Sequence, residues 1–425
     1  MNFWSVLYNV LIVPIGWLAF HLLSLFDKKV KRGIDGRKNL FENLQRDVQR
    51  LRSNAKRIWF HSSSMGEFEQ AKPIIAELKK RYPEVEIVVS FFSPSGYDHS
   101  KNYKLADVIC YLPFDSRRNA ERFLSIIQPT AAVMVRYDVW PNHLWQLKQK
   151  NIPIFIANAT FRNSWLRNLP FIHNFFYQVY NSIDNILTVS EQDKQGFQAF
   201  QLQHPQIEAI GDTRFDQVWR RSAESRTRHV LPNQLVDGKK VVVIGSSWLE
   251  DEEVLFPALI ECSKSNENLL TVLVPHEPDE QTLERIEFML NGTMSNIRLS
   301  SLADYKNERV IVVDSIGVLM ALYQYAHVAY VGGSFRQGIH NVLEPAVYGV
   351  PLLFGPKHEN SQEAVQLVKQ EAAFVVSTSD EAQQLLNKCL NDEVFRQRAG
   401  TTAREFVERN IGATGRFLTR LAKVL

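Results

Sequence analysis

Three stretches of this chain put residues able to do chemistry where a strand gives way to a helix. The first is RIWFHSSSMGEFEQAKPII, residues 57 to 75. Ser64 followed three residues later by Glu67 fits a capping box, with the serine as N-cap and the glutamate reaching back. A carboxylate at a strand-to-helix corner is equally placed to act as a general base, a role that contributes about 10²–10⁴-fold. The residues alone leave both readings open. The serines do not form a G-x-S-x-G elbow, which argues against a serine nucleophile.

The second stretch, GSSWLEDEE, repeats the corner: Gly245 ends a strand, Ser247 can cap, and Glu250 takes the capping-box position. Backbone amides near Ser246 and Ser247 could receive an anion there, or serve only to start the helix. The third, VGGSFRQGIHNVLEPAVYGVP, spans residues 331 to 351. Glycines at 332, 333 and 338 let backbone approach a ligand closely. Asn341 can cap a helix whose exposed amides favour phosphate, and Glu344 suits ribose hydroxyls or, again, a cap. The spacing is not the G-x-G-x-x-G of a dinucleotide fold, which disfavours oxidoreductase chemistry. With no D-x-D pair at a strand end, no metal is indicated. Arginine must then offset leaving-group charge, and Arg214 in GDTRFD stands between the two halves of the chain.

The elements that must position these residues follow a βαβ rhythm from residue 57 onward. Apolar runs such as VEIVVSFF, AAVMVRYD and IPIFIAN alternate with helical segments, and the pattern restarts at KKVVVIGSS. Runs that are apolar throughout suit parallel strands covered on both faces. The expected architecture is α/β: two doubly wound domains facing a cleft. Residues 27–220 form the N-terminal domain, 221–238 a polar linker, 239–400 the C-terminal domain, and 401–425 a final helix packing back across both. At 425 residues, 45% hydrophobic and 22% charged, the chain has enough apolar residues for two cores.

Residues 1–26 contain no Lys, Arg, Asp or Glu and are followed by DKKVKRG. About 20 apolar residues suffice to cross a bilayer, while Pro14 and Gly16 would suit a bent element lying in the interface. Both alternatives anchor the chain. The charge after the run places the remainder in the cytoplasm. Between residues 28 and 57, Lys and Arg outnumber the acids Asp35, Glu42 and Asp47, as an anionic membrane surface or a phosphorylated lipid would favour, or as a solvated helix face would equally show. A net charge of +3 without a concentrated basic face does not indicate nucleic-acid binding. Three scattered cysteines, with no CxxC pair, suggest neither a disulfide framework nor a thiolate metal site.

Taken together, the apolar leader, HSSSMGE, YDVWPN, GDTRFD, VPHEP and GGSFRQGIHNVLEPA resemble the transferases that attach 3-deoxy-D-manno-octulosonic acid (Kdo) to the lipid A precursor. The resemblance runs nearly end to end. It implies the GT-B fold, inverting transfer without metal or cofactor, CMP-Kdo as donor, a lipid A precursor as acceptor, and a place on the cytoplasmic face of the inner membrane. It makes Glu67 the general base and Arg214 the residue that stabilises the transition state. It puts CMP at Pro275 and His276, at Ile316, Gly317 and Val318, and at Asn341, Val342, Leu343 and Glu344. Three positions depart from the family pattern. Arg136 replaces the first acid of Glu-Thr-Glu-Leu-Trp, leaving Asp138 as the second; His276 stands where Pro-Arg is common; Ile339 replaces a glycine. The rival readings are a GT-B lipid glycosyltransferase using a UDP-sugar, such as a lipid A disaccharide synthase, and a noncatalytic membrane-bound glycan-binding protein.

Overall fold

The computed structural model describes residues 3–161 and 169–425; Met1 and Asn2, at the head of the expected anchor, lie outside the described residues. The chain divides into two compact units, one made of residues up to Gln217 together with Ile411–Leu425, the other of Val218–Asn410.

In the first unit, seven strands form one sheet in the order β3-β2-β1-β4-β5-β6-β7. They are β1 (Arg57–Ser62), β2 (Glu86–Phe91), β3 (Val108–Tyr111), β4 (Ala131–Val135), β5 (Ile154–Ala159), β6 (Asn185–Thr188) and β7 (Gln206–Ala209). Every pairing is parallel. Side chains alternate along β1, so Trp59 joins Val88, Ala132 and Met134 in one core while Ile58 and Phe60 join Ile87, Val89 and Val133 in another. Both faces are therefore buried, which explains the unbroken apolar run Ile58–Phe60 at the centre of β1.

The helix Met65–Arg81 covers one face with Phe68, Ala71, Ile74, Ile75 and Leu78, a stripe at three- and four-residue spacing. Phe417, Leu418 and Leu421 of the helix Ala413–Leu421 complete that core. Burying each such side chain contributes about 1.5–3 kcal/mol.

The second unit holds β8 (Lys240–Ser247), β9 (Leu269–Pro275), β10 (Asn296–Arg298), β11 (Val310–Val312), β12 (Val328–Val331), β13 (Leu352–Phe354) and β14 (Ala373–Val375). They form a second parallel sheet in the order β10-β11-β9-β8-β12-β13-β14. Val242 and Ile244 face one core, Val241 and Val243 the other. In each sheet the chain builds outward from a central strand and then returns to its other side. This creates a topological switch point between β1 and β4, and another between β8 and β12, where ligands of open α/β sheets bind.

Two segments differ from expectation. The linker assigned to 221–238 begins inside a helix, Thr213–Ser225, that continues from the first unit into the second. The final segment is two helices: Glu393–Asn410, carrying Phe406, belongs to the second unit, and Ala413–Leu421 to the first. Gly412 separates them at φ +102°, a conformation that favours glycine. Asp216 accepts hydrogen bonds from the amides of Gly412 (2.5 Å) and Thr414 (2.7 Å), which starts the second helix.

The leader is helical from Phe3 to Leu23 and long and apolar enough to cross a membrane, with a mean hydropathy of 1.9. Tyr8 donates to Asp115 Oδ2 at 2.9 Å and Asn9 to Asn142 Oδ1 at 2.7 Å, so part of the helix is held against the first unit. Val10, Leu11, Ile15, Leu18 and Leu22 remain exposed. The basic residues that follow do not all face outward. Arg37 donates to the carbonyls of Leu112 and Phe92 and stacks over Phe92, and Arg57 is buried at the start of β1.

Arg57 pairs with Glu86 at 2.9 Å and donates to the carbonyl of Ile127 at 2.6 Å, tying the starts of β1 and β2 to the end of the helix Arg117–Ile127. Glu86→Ala leaves a buried guanidinium without its counter-charge. Urea denaturation should show a loss of about 3–5 kcal/mol, with Glu86→Gln losing less.

Candidate active site

Glu67 lies at the β1 end of the first switch point, on the opening turn of the helix Met65–Arg81. The capping box is formed: Ser64 Oγ accepts from the Glu67 amide at 3.4 Å, and Glu67 Oε2 accepts from the amides of Ser63 (2.6 Å) and Ser64 (3.1 Å). Only one carboxylate oxygen is used. Oε1 has no hydrogen-bond partner among the described residues and is not enclosed, although the residue as a whole is 6% exposed. Glu67 therefore caps its helix with one oxygen and keeps the other open to accept a proton.

Around it lies a polar network that the sequence reading did not assemble. Asp138, just beyond β4, accepts from His61 Nε2 (2.8 Å), Ser63 Oγ and Trp140 Nε1 (3.2 Å). Trp140 Nε1 also lies 3.0 Å from His61 Nε2, but an ionised carboxylate only accepts, so at 2.8 Å from Asp138 the Nε2 atom carries the proton and the indole N–H goes to the carboxylate. His61 Nδ1 then takes a hydrogen bond from Ser90 Oγ at 2.9 Å, while Ser90 accepts from Trp59 Nε1 at 2.8 Å. Burial raises the Asp138 carboxyl, but the hydrogen bonds from His61, Ser63 and Trp140 outweigh it and hold the group below the ordinary aspartate value. Burial and then the Asp138 charge push Glu67 the other way, above the ordinary glutamate value, against the lowering by its two amide hydrogen bonds. Two neighbouring carboxyls with pKa values pushed apart are the pattern of an acid–base site. The signal in sequence was His61, a lone histidine within an apolar strand.

Arg136 follows β4 directly, at φ +66°, a conformation rare for a residue with a side chain. Its guanidinium lies 5.8 Å from the Tyr137 ring centre. Arg214 is on the first turn of Thr213–Ser225, where Asp212 Oδ2 accepts from its Nε (2.9 Å) and Nη2 (2.7 Å). Its fork is thus oriented by a carboxylate.

In the second unit, β8 is interrupted at Ser246, whose φ is +54° and where the register with β9 slips by one residue. The corner consequently differs from the expected one. The helix Leu249–Ser265 starts after Trp248, and the carboxylate that reaches back is Asp251, which accepts from the Trp248 amide at 2.9 Å. Asp251 Oδ2 also accepts from the Gly333 amide (2.8 Å) and Oδ1 from Tyr330 (2.8 Å), so this buried residue joins β8 to β12 across the switch point. Glu250 turns outward to Arg336 and Gln337. Ser247 is buried and donates to Glu252, which pairs with Arg285.

Pro275 ends β9, and the His276 amide donates to the Ser247 carbonyl at 3.0 Å. The Gly332–Gly338 loop folds tightly: a Cβ on Gly332 would come within 2.2 Å of the Ser246 carbonyl oxygen. Asn341 Oδ1 accepts from the Leu343 amide at 3.2 Å, and its Nδ2 donates to Glu344 at 3.1 Å. The helix expected after Asn341 is a single turn, Leu343–Ala346, stopped before Gly349 at φ +75° and Pro351. So short a turn lacks the macrodipole the sequence reading invoked for phosphate. Ile316 is exposed, Gly317 adopts φ +85°, and Val318 precedes the short helix Leu319–Leu322, all beyond the end of β11.

Residues 38–217 match the family described as 3-Deoxy-D-manno-octulosonic-acid transferase (kdotransferase). The Haemophilus influenzae 3-deoxy-D-manno-octulosonic acid transferase is 27% identical over 387 residues, 87% of each chain. The chain is similar to the Kdo transferases over most of its length. That similarity makes it a glycosyltransferase. The Chlamydophila psittaci enzyme of the same name is 29% identical over 72% of this chain and 70% of its own. Among solved structures, UDP-GlcNAc 2-epimerase from Neisseria meningitidis superposes with a TM-score of 0.60 at 14% identity, covering 87% of this chain and 100% of its own. At that identity the likeness is one of fold, and the fold is the GT-B type with two Rossmann-like units.

Asp251→Ala orphans two backbone amides and the Tyr330 hydroxyl, at about 1–3 kcal/mol for each donor left unsatisfied. Chemical denaturation should show that loss, and hydrogen exchange should show deprotection of the Gly333 amide. Glu250→Ala, which removes only a surface pair, should cost about 0–1 kcal/mol.

Proposed function

We propose that this enzyme transfers Kdo from CMP-Kdo to a sugar hydroxyl of a lipid A precursor, with inversion at the anomeric carbon. The observation that carries the reading is the divided carboxylate of Glu67: Oε2 is fixed by two amides and Oε1 is open, at the switch point of the sheet. Oε1 takes the proton of the acceptor hydroxyl as its oxygen attacks the anomeric carbon, and the bond to CMP breaks on the opposite face. The proton remains on Glu67 until solvent removes it, and CMP leaves with the bonding electron pair.

In this reading the second unit holds the donor through Ser246, Ser247, Pro275, His276, the Ile316–Gly317–Val318 turn and the segment Asn341, Val342, Leu343 and Glu344. Arg214, oriented by Asp212, stabilises the charge growing on the phosphate, and Arg136 adds a second positive charge two residues from Asp138. Preorganised donors of this kind are typically each responsible for about 10²–10³ in rate. In this reading arginine and backbone amides offset the leaving-group charge, and the transfer runs without a metal or cofactor. The apolar leader anchors the chain at the cytoplasmic face of the inner membrane, where outward-facing basic residues attract anionic lipid.

Mass spectrometry of the product made by purified enzyme from CMP-Kdo and a phosphorylated lipid acceptor tests donor and acceptor together; turnover of a UDP-sugar instead would overturn the reading. Glu67→Gln should retain CMP binding and lower transfer by about 10²–10⁴-fold. Since Glu67 must be ionised to act and its pKa is raised, activity should fall on the acid side at a higher pH than for an ordinary glutamate. Asp138→Asn removes the neighbouring negative charge, so the acid limb of the pH–rate profile should move to lower pH.

A further inference from the structure

The second switch point carries a three-ring stack that the proposed reaction has not yet used. Trp248 follows β8, His276 follows β9, and His340 closes the loop after β12. The His276 ring stacks on both of the others, with centres 4.6 Å from Trp248 and 4.4 Å from His340 and planes inclined by 27° and 18°. Trp248 Nε1 is 2.9 Å from His340 Nε2. An indole nitrogen can only donate. Nε2 of His340 must therefore be the acceptor, and the ring's proton sits on Nδ1.

The ring is held from several directions. Its backbone amide donates to the Gly332 carbonyl at 3.2 Å, and a Cβ on Gly333 would come within 2.9 Å of its Cδ2, so it rests directly on glycine backbone. Burial, and then the nearby His276, push His340 down to about 4, which keeps it neutral across the physiological range. Nδ1–H has no hydrogen-bond partner among the described residues and is not enclosed. A neutral donor with a fixed tautomer stands at the edge where the nucleotide sugar is proposed to bind.

The geometry points to Trp248 as a positioning residue that locks His340 in the Nδ1–H tautomer, so that His340 donates a hydrogen bond to an anionic oxygen of the sugar nucleotide. This rests on the function proposed above and adds to it a specific recognition group. The oxygen belongs either to the nucleotide phosphate or to the carboxylate of the transferred sugar, and the two sources separate by ligand.

The tautomer is read on the full-length protein by ¹⁵N NMR of labelled histidine, assigned by comparison with the His340 variants. A proton-bearing Nδ1 and an unprotonated Nε2 are expected for His340. Trp248→Phe keeps a ring in the stack but removes the N–H, and should mix the two tautomers. A wild-type His340 protonated on Nε2 would overturn the assignment.

Binding is then measured by calorimetry with cytidine, CMP and CMP-Kdo. Asparagine places an amide nitrogen near the Nδ1 position and glutamine near the Nε2 position. His340→Asn should therefore keep binding near wild type, while His340→Gln loses about tenfold or more, as befits a hydrogen bond to a charged group. Loss with CMP but not cytidine assigns the phosphate; loss with CMP-Kdo but not CMP assigns the carboxylate. Equal loss with cytidine, or equal binding by the Asn and Gln variants, overturns the inference while leaving the proposed transfer standing. Failure of the wild-type protein to bind CMP at all would instead remove the proposed function.

Discussion

A helix that begins at the end of a parallel strand exposes backbone amides with no partner in the helix, and each switch point here answers that demand with a buried carboxylate. The two answers differ in what they leave over. Asp251 spends both oxygens, on two amides and the Tyr330 hydroxyl, and fastens β8 to β12. Glu67 has one more methylene and spends only Oε2, on two adjacent amides of its own corner. Similar physics thus produces a structural pin in one unit and, in the other, the free oxygen that the proposed reaction uses as its base.

The surroundings of Glu67 determine how available that base is. The chain of hydrogen bonds from Trp59 through Ser90 to His61 fixes the imidazole so that its remaining proton points to Asp138. Asp138 stays ionised because His61, Ser63 and Trp140 all donate to it. Burial, and then the charge so maintained, disfavour a negative charge on Glu67 and raise its proton affinity, the direction that suits the base of the proposed reaction. The network acts on the reacting group through the field of one carboxylate, without a hydrogen bond between the two carboxyls.

The sequence was most legible where side chains are buried on both sides. Central strands such as β1, β8 and β12 stand out as apolar runs, whereas β3, β7 and β10 escaped notice, and all three lie at sheet edges. An edge strand is short: in the four residues of β7, polar Gln206 and Glu208 alternate with Ile207 and Ala209, so no continuous apolar run marks it. The Glu67 corner was legible because its strand runs into its helix without irregularity. The second corner was misread by one residue, Glu250 for Asp251, because Ser246 bulges from β8 and shifts the N-cap from Ser247 to Trp248. Neither the His61 network nor the ring stack at Trp248 follows local spacing; each gathers residues from several strand ends.

The leader meets the first unit at the same edge of the sheet that carries Glu67. Its polar contacts are to Asp115, beyond β3, and Asn142, beyond β4, and both lie past carboxyl ends of strands. Phe20 packs on Phe92 with ring centres 5.4 Å apart, Phe92 on Trp140 at 4.5 Å, and Trp140 donates to Asp138 at 3.2 Å. Three contacts therefore connect the apolar helix to the carboxylate that governs the base. A parallel sheet makes this possible, because all its strands deliver their carboxyl ends to one edge. The apolar leader and the Glu67 corner thus share one edge of the first unit, the edge from which the proposed reaction brings its acceptor.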